Sequence, residues 1–130
     1  MSATRKILLH KLNGLNDVID IVAHEAGPGG APHRYDIIGQ GEHIPNIGPR
    51  PFGVNLRFQN GPISKPEDYN GITNEALLAV LIDRMQGFQN GPFKCRENAI
   101  ALTHLEEALM WLQKRTRDRM ERGVEGALKP

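Results

Sequence analysis

The chain has 130 residues, 16 basic and 15 acidic, for a formal net charge of +1. That length suits one domain with a small hydrophobic core and leaves no room for a second full one. The near-zero charge argues against a general nucleic-acid or membrane binder, and the single cysteine, Cys95, rules out an intramolecular disulfide and argues against a cysteine-rich zinc site.

Met1 to Leu9 places Arg5 and Lys6 before only three apolar residues, far short of a signal-peptide core or a membrane span. A soluble cytosolic protein is expected. Residues 1 to 15 fit either an edge strand or a loosely held arm. Residues 18 to 24 (VIDIVAH), 34 to 38 (RYDII) and 54 to 59 (VNLRFQ) read as strands, rich in β-branched or aromatic residues and bounded by turn formers. In the third, Val54, Leu56 and Phe58 alternate with Asn55, Arg57 and Gln59, the period of a sheet with one buried face. The proline- and glycine-rich connectors GPGGAP (27 to 32) and HIPNIGPRPFG (43 to 53) read as a long hairpin loop and a surface loop.

Thr73 is a suitable N-cap, with Glu75 in the first turn of a helix expected from Asn74 to about Gln89. Leu77, Leu78, Leu81, Ile82, Met85 and Phe88 keep helical spacing over a surface too wide for one partner. Asn90, Gly91 and Pro92 break it. A second helix, from about Lys94 to Arg122, spans roughly 43 Å. Its Leu102, Leu105, Leu109, Leu112 and Thr116 form a seam for the first helix, and the short connection makes the two antiparallel. Ala101, His104, Ala108, Trp111 and Arg115 form a second stripe, roughly a quarter turn away. Two apolar faces on one helix imply another partner, most simply a second copy. The expected fold class is α+β: a small N-terminal antiparallel sheet, residues 1–70, then a long antiparallel two-helix hairpin, residues 71–126, in one compact domain.

Residues 114 to 122 (KRTRDRMER) hold five basic and two acidic residues. Arg115 and Arg119, four apart, can converge on one phosphate or pyrophosphate. The plain alternative is a solvated basic end favoured by the helix dipole. Likewise Phe88 and Phe93, beside Asn98, could stack on a base and read its edge, or simply pack the turn. The five histidines, His10, His24, His33, His43 and His104, form no metal motif. Neither a phosphate-binding P-loop nor a nucleophile with its base is recognisable. A non-enzymatic protein without cofactor or metal is expected.

The GFQNGPFKCREN turn and the ALTHLEEALMWLQKRTRDR helix, within residues 71 to 126, resemble the helical-hairpin domain of phage anti-Thoeris and anti-CBASS sponge proteins. The strand-bearing segment before residue 70 resembles the anti-Thoeris branch. The resemblance implies a protein that sequesters nucleotide immune messengers in the cytoplasm of the infected host: cyclic ADP-ribose isomers, with cyclic di- or trinucleotides at separate sites. It implies ligand contacts at Phe88, Asn98, Arg115 and Arg119, with Arg57 as a further pocket arginine. Asn98 and Arg115, 17 positions apart on one helix, are separated by roughly 25 Å. One small ligand then needs Phe88 and Asn98 from one protomer and Arg115 and Arg119 from its mate, in a dimer or a hexamer. The competing reading is a DNA- or RNA-binding or structural module using the basic helix end. Near-neutral charge and the interposed Asp118 and Glu121 count against it.

Overall fold

A computed structural model describes residues 4–123. Residues 1–3 of the expected N-terminal strand or arm, and 124–126 of the expected hairpin region, lie outside the described residues. The chain is α+β and falls into two compact units. One is built on the residues up to Asn60 together with Tyr69–Gly71, the other on Gly61–Asp68 and the residues from Ile72 onward.

The first unit is a four-stranded antiparallel meander in chain order: β1 (Arg5–Ile7), β2 (Ile19–Ala23), β3 (Arg34–Ile44) and β4 (Gly48–Arg57). A single helical turn, α1 (Gly14–Asp17), precedes β2, its N-terminus capped by the Asn13 side chain. The register places Ile21, Ala23, Tyr35, Ile37, Val54 and Leu56 on one face. The edge of the Tyr35 or Phe58 ring meets the other's face at 5.7 Å between centroids. Asp36, Asn55, Arg34 and Arg57 share the opposite, polar face.

The segment read as a surface loop at 43 to 53 is mostly strand. β3 and β4 run on to a tight turn in which Pro45 and Asn46 (φ 66°) are the central residues and Ile47 N–H donates to Ile44 O at 3.0 Å. Proline at the first central position and a positive φ at the second suit a type II turn. Pro49 and Pro51 are tolerated because β4 is an edge strand. Gly39 and Gly41 lie under the Phe52 ring, where a Cβ at Gly39 would come within 2.3 Å of it. The period-two reading at 54 to 59 holds in part: Leu56 and Phe58 are half-buried, whereas Val54 is 51% exposed.

The second unit contains α2 (Asn74–Gln89) and α3 (Arg96–Glu121), packed on each other. The Thr73 hydroxyl accepts from Ala76 N–H at 3.0 Å, as the cap reading expects. Cys95 caps α3, its Sγ accepting from Asn98 N–H at 3.4 Å. The Gln89 side chain fastens the connection by donating to Cys95 O and accepting from Cys95 N–H, both at 3.1 Å. Leu102, Leu105, Leu109, Leu112 and Thr116 are half-buried, so the seam is the one expected. No described helix is long and apolar enough to cross a membrane.

Thr73→Ala is expected to destabilise the protein by about 1 kcal/mol, read from the denaturant midpoint at fixed protein concentration. On the sheet, Asp36 accepts from His24 Nε2 at 2.8 Å and from Asn55 Nδ2. The His24 hydrogen bond, with smaller help from Asn55, holds its carboxyl below the usual range against the opposing effect of burial. A depressed folded value gives stability that is present above the unfolded value of about 3.9 and lost as pH falls through the lower folded one. Asp36→Asn should therefore flatten the acid limb of stability against pH in that window, measured by circular dichroism.

Candidate functional site

Phe88 closes α2 and Asn98 opens α3, so the connection holds both at one end of the hairpin. Both are half-buried. The Cys95 cap and the Gln89 clasp fix the backbone leading into Asn98. Phe93, a further aromatic of this turn, is 74% exposed and does not share in the packing.

One residue near the turn was missed from sequence. Arg84 lies over the Phe88 ring, its guanidinium carbon 4.9 Å from the centroid. The spacing of four was the available signal, since residues one turn apart meet on a helix surface. The cation occupies one face of the ring.

The arginines lie far along α3. The helix is continuous from Arg96 to Glu121, so Asn98 and Arg115 are separated by roughly 25 Å along its axis. Arg119 is 6% exposed and already engaged within the fold. It continues the inward seam, three residues beyond Thr116, while Arg115 is exposed on the stripe that carries Trp111, itself 61% exposed. Asn98 extends the same seam at its other end, four residues before Leu102. The leucine seam thus begins and ends in polar residues, both of them candidates. Lys114 is paired with Asp118 at 2.9 Å, which also holds its ammonium pKa above the usual lysine value. The exposed cations of KRTRDRMER are therefore Arg115, Arg117 and Arg122, together with the paired Lys114.

Arg57 lies in the other unit, at the end of β4 and directly opposite Arg34 on β3. Among the described residues no group of three or more histidine, cysteine, aspartate or glutamate side chains could hold a metal ion.

Residues 54–117 match the family described as Acb2/Tad1, hairpin domain. The match takes in Arg57, Phe88, Asn98 and Arg115 and ends just before Arg119. A protein of Bacillus phage SBSphiJ7 named Thoeris anti-defense 1 is 43% identical across 74% of this chain and 78% of its own length. This similarity extends beyond the hairpin and supports the anti-Thoeris likeness of most of the chain. The chain belongs to the Acb2/Tad1 family of phage anti-defence proteins.

Proposed function

We propose that this protein is a sponge, which binds nucleotide immune messengers in the infected host's cytoplasm and withholds them without degrading them. Cyclic ADP-ribose isomers are the first ligand class; cyclic di- and trinucleotides, held at separate sites, are the second. The observation that supports the reading is the uninterrupted α3, which separates Asn98, near Phe88 at the connection, from Arg115 and Arg119 at the far end. Asn98 and Arg115 of one chain are too far apart to share a small ligand. A two-fold dimer of antiparallel hairpins would join Phe88 and Asn98 of one protomer to Arg115 and Arg119 of its partner, twice per dimer. The exposed stripe of Ala101, His104, Ala108 and Trp111 lies between the halves and would be the surface covered.

In this pocket the roles follow from side-chain chemistry. Phe88 offers a ring face to the adenine. Asn98 can donate to and accept from polar edges. Arg115 and Arg119 carry donors whose fork matches pyrophosphate oxygens. Arg119 is already buried and engaged within the fold, so the exposed Arg115 is the cleaner one to probe. DNA and RNA are not expected ligands, because the basic helix end has one cation paired and one buried.

Isothermal titration with cyclic ADP-ribose isomers and cyclic dinucleotides tests the reading, and no heat of binding from any of them would sink it. Arg115→Ala is expected to weaken cyclic ADP-ribose binding by about 1.5–3 kcal/mol, the usual size of a hydrogen bond to a charged group. Ligand released by heating the complex should be recovered intact; a hydrolysed product would make the protein an enzyme instead.

A further inference from the structure

Apart from Arg57, which the resemblance implies as a pocket arginine, the polar end of the sheet takes no part in the hairpin reading, yet it borders two recesses. Arg34 and Arg57 are direct register partners on β3 and β4, and like charges directly opposite each other destabilise a sheet. Among the described residues neither forms an ion pair. Asp36, two residues from Arg34 on the same face, is already taken by His24 and Asn55. The sheet therefore sets two guanidiniums side by side and gives them no carboxylate in contact.

These arginines border a recess of about 150 Å³, walled also by His33 and Asn60. Arg34, His33 and Asn60 are shared with an adjoining cavity of about 300 Å³, which His24 and Glu25 complete. The walls are braced. His24 N–H donates to Arg34 O at 3.0 Å and Phe58 N–H to His33 O at 2.7 Å, tying β2, β3 and β4 together at this end. Asn60 is fastened to Asn70 by two hydrogen bonds of 2.8 Å. Gly27 leaves space for the His33 ring, where a Cβ would come within 2.5 Å of it. Such bracing lowers the ordering cost of binding.

The two parts differ in charge. The smaller has both arginines and no acid, which suits a phosphate bound through paired N–H donors. The larger has the one lining carboxylate, Glu25, an acceptor for hydroxyl groups, beside two imidazoles. Its volume lies at the lower end of small-molecule sites. We propose that this cleft is a second ligand site, binding a sugar phosphate or nucleoside phosphate with its phosphate between Arg34 and Arg57 and its hydroxylated part against Glu25. It uses none of Phe88, Asn98, Arg115 or Arg119, so loss of Arg115 separates it from the hairpin pocket.

The test is a two-dimensional amide NMR titration of the full chain with inorganic phosphate and, separately, ribose 5-phosphate. Both probes should shift the amides of His33, Arg34, Arg57 and Asn60, with ribose 5-phosphate the tighter. The shifts should persist in Arg115→Ala, which separates this cleft from the hairpin. Arg34→Gln should weaken both probes by roughly tenfold or more. Glu25→Ala, an exposed change that should not disturb folding, should weaken ribose 5-phosphate and spare inorganic phosphate. Absence of shifts at these amides, shifts confined to the α3 arginines, or equal binding by wild type and both variants would overturn the proposal.

Discussion

The fixed rise of an α-helix, about 1.5 Å per residue, is the constraint on which this protein's organisation depends. A helix without a kink is a ruler, and α3 runs unbroken from Arg96 to Glu121. Whatever stands at Asn98 cannot reach the same small molecule as Arg115 on the same chain. The connection at Asn90–Cys95, clasped by Gln89, fixes the near end, so Phe88 and Asn98 stand at the same end of the hairpin. The far end is set by the seam itself, which runs through four leucines and Thr116 to the buried Arg119. Spacing that packs the hairpin thereby also separates the two halves of its candidate pocket.

A second constraint is the scarcity of buried apolar surface. Among the described residues only Ala23 and Ile82 are buried hydrophobics, while Val80, Leu81, Ile100, Met110 and Trp111 on the helices are exposed. Such exposure on a hairpin of this length is the usual mark of an interaction surface. The sheet relies instead on its ladder and on polar ties, such as His24 to Asp36 to Asn55 and Asn60 to Asn70. Candidate ligand groups occur in both units, at the ends of elements.

The helices were legible in the sequence because cap, period and breaker agree over the first and the leucine period carries the second. Thr73, the leucine spacing and Asn90–Pro92 all point to the same elements, and the structure has them within a residue or two. The β3–β4 hairpin was not legible. Prolines and glycines at 45 to 53 are loop signals locally, and only the edge position of β4 and the Phe52 ring over Gly39 make them compatible with strand. With that hairpin unseen, the register was unknown, and the pairing of Arg34 with Arg57 could not be anticipated. Of the hairpin candidates, Arg115 and Arg119 read alike by spacing. Burial distinguishes them, and burial depends on which side of the seam each occupies. Arg84 over Phe88 was within reach of the i, i+4 rule, but a lone arginine among apolar residues gave no reason to choose it.

The shared pocket is tested most directly by complementation between two defective copies. Asn98→Ala and Arg115→Ala proteins, each impaired alone, are unfolded together in equal amounts, refolded and titrated with a cyclic ADP-ribose isomer. In a mixed dimer one pocket would draw Asn98 and Arg115 each from the copy that retains it, so about a quarter of all pockets should regain wild-type affinity. If the mixture binds no better than its two components, the site lies within a single chain and the account fails.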